Sequence, residues 1–179
     1  DDVKCEQQSN SLFYQGTDLP SYQSDYRAYW RDHIGRISIG TFQNWNQVID
    51  KASNAMAKAN KNTEGLAPLL ESLTENTLSV ADSIANILDF VSRDIRYVSM
   101  SEYGNAMTPH TIAETIENRF GDCKDKSVLL KAMLEKTGLS ANLVLVSTQR
   151  TDDSKLLIPT MNVYNHVVVC FKLDGKEYC

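Results

Sequence analysis

Apolar residues recur with a helical period through the middle of the chain and alternate with polar ones toward its end. The clearest run is Ile84, Ile87, Leu88, Val91 and Ile95, spaced i, i+3, i+4, i+7 and i+11, which predicts a core helix from near Ser79 to about Arg96. Upstream, Arg36 to Gly40 alternates as a short strand would. Thr41 then offers an N-cap before Trp45, Val48, Ile49, Ala52 and Met56, predicting a helix through about Asn60. Leu66, Leu69, Leu70 and Leu73 share one face of a short helix between Glu64 and Glu75, with Pro68 tolerable in its first turn.

After the core helix, Tyr97 to Met100 is β-like and Ser101 to Met107 reads as a Gly-containing loop. Thr108-Pro109 opens a short helix that ends near Phe120, where Gly121 breaks it. Asp122 can cap the next helix, which bears Val128, Leu129, Met133 and Leu134 and stops at Gly138. Cys123 therefore falls in a first turn. Asn142 to Ser147 and Val163 to Leu173 read as strands, and Asp174-Gly175 as a hairpin turn. Residues 1 to about 36 hold Phe13, Tyr14, Tyr22, Tyr26, Tyr29 and Trp30 without a sustained period, which suits extended structure or an ordered arm. Helices first and strands clustered late imply an α+β fold rather than a doubly wound parallel sheet.

Length and charge narrow the picture. A chain of 179 residues suits one globular domain, or one domain with a remnant of another. Mean hydropathy of -0.35 and no long apolar run leave no transmembrane candidate. A net charge of -5 without basic clusters argues against nucleic acid or an anionic membrane as the main partner. The four cysteines, Cys5, Cys123, Cys170 and Cys179, are too spread for a dense disulfide scaffold and do not fix the compartment. The absence of an initiating Met or a leader at Asp1 suits a mature protein, an expression product or a fragment.

A cysteine at a helix start is a candidate nucleophile, because unpaired N–H groups and the helix dipole favour the thiolate. His166, heading the apolar run Val167 to Phe171, is the candidate base, since a rigid strand could aim its imidazole at the cysteine helix. Taken alone, the two residues fit equally a small buried helix cysteine and a strand-end histidine satisfied by backbone.

The surrounding motifs change that balance. Ser38 to Phe42 with Trp45, Ile95-Arg96-Tyr97-Val98, Gly121-Asp122-Cys123-Lys124-Asp125-Lys126, Leu129-Leu130, Gly138-Leu139 and Asn165-His166-Val167 stand in one order. From residue 37 to the end the chain resembles the bacterial transglutaminase-like superfamily, in proteins where such a domain follows a β-rich one. The resemblance implies a papain-like core over 37–179, the cysteine helix packed on an antiparallel sheet carrying His166. It makes 1–36 an arm or the tail of a preceding domain. It also implies a third residue, usually Asp, on a strand beyond Cys179, so the core is C-terminally incomplete here. Asp174 is a turn residue and not that orienter. Thr108 stands where relatives often carry Gln, which leaves the Cys123 N–H as one oxyanion donor and the side-chain donors unassigned.

The expected function is therefore thioester chemistry on a protein or peptide amide, with Cys123 as nucleophile and His166 as base. Hydrolysis is slightly favoured over crosslinking. The rival is an inactive scaffold or binding module that kept the fold. Neither cofactor nor metal is expected, since no C-x-x-C or H-x-x-x-H occurs and His33 and His110 are isolated in sequence. Cys170 reads as a packing residue, Cys5 and Cys179 as free or paired, and Tyr97 as a half-buried strand tyrosine able to bring a hydroxyl near the site. The resemblance favours an extracytoplasmic bacterial location.

Overall fold

The structure, a computed structural model, describes residues 3–18, 21, 30, 37–99, 107–149 and 156–179. Near the N-terminus β1 (Val3–Gln8) and β2 (Ser11–Gly16) form an antiparallel hairpin with Cys5 opposite Tyr14. The aromatic residues Tyr22, Tyr26 and Tyr29, and His33, lie outside the described residues.

The expected strand at Arg36 to Gly40 does not form over residues 37–40, where Ile39 is 85% exposed and, among the described residues, no neighbouring strand offers its backbone a ladder. Helix α1 (Trp45–Met56) is capped by Asn44, not Thr41. Asn44 Oδ1 accepts from the Gln47 N–H at 3.0 Å, which makes it the N-cap by geometry. A 3-10 turn continues to Lys61. Helix α2 (Leu66–Thr74) follows Gly65, whose φ of 80° is a left-handed conformation that glycine adopts without cost.

The core helix is present as α3 (Val80–Asp89), capped by Ser79, and passes into a π-helical turn over Phe90–Asp94. Strand β3 (Arg96–Tyr97) pairs in parallel with β4 (Phe120–Gly121). Between them α4 (Ile112–Asn118) starts later than Thr108-Pro109 suggests, because Thr111 and Glu114 close a capping box. It ends on Arg119, at φ 56°, one residue before β4.

Helix α5 (Cys123–Lys136) is the hub. On one side Val128, Leu129 and Met133 join Leu66, Ile87 and Ile95 in the larger core cluster. On the other, Leu134 and Ile84 cluster with Ala141, Val169 and Phe171 of the sheet. That sheet is β5 (Ala141–Val146), β6 (His166–Leu173) and β7 (Lys176–Tyr178), antiparallel in sequence order. Asp174 and Gly175 both have positive φ, the two-residue turn that matches strand twist. The fold is thus α+β, helices against one face of an antiparallel sheet.

Cys170 is buried, as expected of a packing residue, but it is also bonded to Cys179. The β6–β7 register, with Phe171 opposite Tyr178, continues to this pair. Cys5 and Cys123 are the free cysteines.

Candidate active site

The hexapeptide around Cys123 is occupied residue by residue in building a helix start. Asp122 is the N-cap, accepting from the Lys124 N–H at 3.1 Å, and its own N–H donates to Asp125 at 2.9 Å. Lys124 Nζ pairs with the Asp122 carboxylate, both side chains almost fully buried. A buried ion pair of this kind holds shape more than it adds stability, and it fixes Asp122 beside the cysteine. Lys126 turns the other way and donates to the carbonyls of Ile95, at 2.8 Å, and Ser92, at 3.2 Å. Burial pushes its pKa down. Gly121 has no room for a side chain, since a Cβ there would lie 2.5 Å from Asp125 Cβ.

Asp125 is fully buried and also holds His110, accepting from its backbone N–H at 2.8 Å and lying 3.2 Å from its Nδ1. At 100° per residue Asp125 points about 200° around α5 from Cys123, so this carboxylate–imidazole pair lies on the far side of the helix from the cysteine. His110 is isolated in sequence and paired in space. It anchors the segment before α4 to the N-terminus of α5.

Cys123 shares its face of α5 with Ser127, one turn on. Ser127 Oγ donates to the carbonyl of Val167, the residue after His166, at 3.1 Å. Further along, Leu134 clusters with Val169 and Phe171, so helix and strand run in the same sense. Followed back one more turn, about 5.4 Å of rise, the helix begins where the strand begins. Cys123 and His166 occupy those two ends, both partly buried.

Strand alternation places Val167, Val169 and Phe171 in the row toward α5 and His166 in the other row. His166 is, however, the first strand residue, at an irregular step. Val146 has His166 as its ladder partner and also accepts from the Asn165 N–H at 3.1 Å. Two residues against one is the arrangement of a β-bulge, which re-aims side chains. Asn165 is clamped further, accepting from the Thr148 N–H at 2.9 Å and donating to Thr148 Oγ1 at 2.8 Å.

Tyr97 stands opposite Gly121 in the β3–β4 pair. Burial first, then the Cys123 thiol and the Asp122 carboxylate, push its pKa above the usual phenol value. A cavity of about 380 Å³ opens nearby between α1 and the sheet, walled by Trp45, Ile49, Leu145, Tyr164 and Val167. Trp45 and Tyr164 meet edge to face across it, 6.4 Å between ring centroids.

The sequence profile described as the transglutaminase-like superfamily matches residues 67–179, from α2 through the Cys123 helix to the disulfide. The chain belongs to the transglutaminase-like superfamily. Among solved structures, a candidate protease from Parabacteroides distasonis superposes with a TM-score of 0.70 at 14% identity, over 99% of this chain and 35% of that one. A candidate cysteine protease from Cytophaga hutchinsonii gives 0.48 at 16% identity, over 73% of this chain and 42% of that one. The chain thus spans well under half of either neighbour. At these identities the first likeness establishes a shared fold. No curated protein matches.

Proposed function

We propose that this member of the superfamily is a cysteine-dependent acyl-transfer or amide-hydrolysing enzyme acting on a protein or peptide. The Cys123 thiolate adds to a carboxamide or peptide carbonyl carbon. The tetrahedral intermediate collapses, the C–N bond breaks, and His166 protonates the departing amine or ammonia. The thioester is then resolved by water or by a second amine, which returns the proton to His166. The observation that carries this reading is the Ser127–Val167 bond, which ties the turn after Cys123 to the residue after His166.

Two further features fit. Lys124, Asp125 and Lys126, the charged residues beside Cys123, are engaged elsewhere, which leaves the thiol as the group with no structural duty in the motif. The Cys170–Cys179 bond suits an oxidising compartment, in keeping with an extracytoplasmic location.

The rival, a scaffold without activity, is favoured by one observation: among the described residues the carboxylate-held imidazole is His110, on the wrong side of the helix, not His166. The test is release of product from a glutamine peptide and from a peptide amide by the full-length protein, with and without added primary amine. Turnover lost in both Cys123→Ala and His166→Ala supports the enzyme, and amine incorporation distinguishes crosslinking from hydrolysis. Turnover that persists in Cys123→Ala, or its absence with all substrates, favours the scaffold.

A further inference from the structure

We propose that the groove between α1 and the free edge of β5 takes an extended segment of the substrate polypeptide, which pairs its backbone with β5 and sets apolar side chains against α1. That this segment belongs to the substrate rests on the Cys123–His166 reading.

In the order β5-β6-β7, β5 has a neighbour on one side only among the described residues. Along an antiparallel strand every second residue turns its N–H and C=O away from the paired neighbour. Among the described residues, no backbone group of residues 141–145 bonds outside the β5–β6 ladder. Proteins usually guard such an edge with charge, proline or shortness. The opposite edge of this sheet, β7, is guarded: it has three residues, and two of them are Lys176 and Glu177. β5 has six, reads Ala-Asn-Leu-Val-Leu-Val and carries none of these guards. An extended peptide fits the chemistry of this edge, because its own N–H and C=O groups repeat at the spacing of the strand.

The space beside that edge is already open. The cavity of about 380 Å³ and a second of about 290 Å³ share Ser53, Met56 and Leu143 on their walls, so together they follow the edge from Asn142 to Leu145. The end farther from His166 is polar, with Asn60, Asn142 and the Lys131–Glu135 ion pair. The nearer end is apolar and aromatic, and on its α1 wall Ile49 is 56% exposed, an apolar side chain with room for a partner. This end adjoins the reacting pair. Tyr164 and Val167, which line it, bracket His166, and Val146, the next residue along the edge, is the ladder partner of His166. At about 3.4 Å per residue, a few residues of extended peptide reach from the polar end to the imidazole. The groove therefore selects a segment with an aromatic or branched aliphatic residue near the reacting amide and a polar one farther off.

The test uses a fluorescein-labelled glutamine peptide whose flanking residues alternate valine and threonine, and two versions of it N-methylated at every second amide, one in each phase. Binding to full-length Cys123→Ala, followed by fluorescence anisotropy, reads the groove without turnover. One phase is expected to bind at least about tenfold more weakly, because its methyl groups replace the N–H groups that face β5, and the other to bind within about 2-fold of the parent. Ile49→Asp, a change at an exposed side chain, should weaken the parent peptide about tenfold. In the protein that keeps Cys123 it should raise KM for that peptide by a similar factor and leave the rate of Cys123 alkylation by iodoacetamide unchanged. Equal affinity in the two phases, or unchanged affinity in Ile49→Asp, overturns the proposal. So does hydrogen exchange already slow at the outward amides of β5 in the free full-length protein, which means that a segment of the protein itself covers the edge. Binding that follows the expected phases without turnover by the wild type keeps the groove and sinks the catalytic reading. Turnover lost in Cys123→Ala but indifferent to N-methyl phase and to Ile49→Asp keeps the catalytic reading and sinks the groove.

Discussion

Ser127 Oγ lies 3.1 Å from the Val167 carbonyl oxygen, and this buried bond is the one polar tie between the face of α5 that bears Cys123 and the strand that bears His166 among the described residues. Removing the hydroxyl leaves a buried acceptor without its donor, at a cost of about 1–3 kcal/mol. Ser127→Ala is therefore expected to lower the urea midpoint, and to slow peptide turnover more than the stability loss explains. Ser127→Thr, which keeps the oxygen, is expected to recover part of both. Denaturation followed by fluorescence, beside turnover at matched folded fraction, checks this.

The glycine before the cap is expected to tolerate no side chain. In Gly121→Ala the new methyl group meets Asp125 Cβ, and Asp125 can move only by giving up its bonds to Asp122 and His110. Overpacking of this kind costs about 1–3 kcal/mol. The matching signature is in the His110 imidazole resonances, which should shift in Gly121→Ala and in Asp125→Asn but not in His166→Ala.

The buried pair between Lys124 and Asp122 is expected to be costly to break from one side only. Lys124→Met strands a buried carboxylate, which typically costs about 3–5 kcal/mol. Thermal unfolding should show Lys124→Met well below the wild type, with Lys126→Met less affected, because Lys126 is only partly buried and loses two carbonyl contacts.

Much of this fold could be read from the chain before its coordinates. The i, i+3, i+4 run through Ile84 and Ile95, the Asp122 cap and the Asp174-Gly175 turn are local signals, and each led to the right element. Thr41 lost to Asn44 as a cap because capping is decided by which oxygen meets the N3 N–H, and both residues are good caps by type. Arg36 to Gly40 alternates in sequence, yet alternation makes a strand only beside a partner, and among the described residues none pairs with residues 37–40. Of the candidate site, the sequence singles out Cys123 and His166, and the structure sets them at the starts of α5 and β6. His110, Ser127 and the Cys170–Cys179 bond were not singled out, since each depends on a contact spanning 9 to 40 residues that no local spacing encodes.

Thiol titration of the unreduced protein should find two reactive cysteines, Cys5 and Cys123, with Cys170 and Cys179 silent until reduction. The bond closes a short loop, for which chain entropy gives about 2–3 kcal/mol. Reductant should lower the Tm of the wild type and leave Cys170→Ser unchanged. Four reactive thiols without reductant would remove the argument for an oxidising compartment.

The central claim is that sulfur and imidazole work as a pair at the meeting of α5 and β6. The most direct measurement is the rate of Cys123 alkylation by iodoacetamide against pH in the full-length protein, compared with His166→Ala and with His110→Ala. The account predicts that near neutral pH His166→Ala labels at least about tenfold more slowly, the span of general-base assistance being about 10²–10⁴, while His110→Ala labels like the wild type. Identical profiles in the wild type and His166→Ala, or a loss that follows His110 instead, would contradict it.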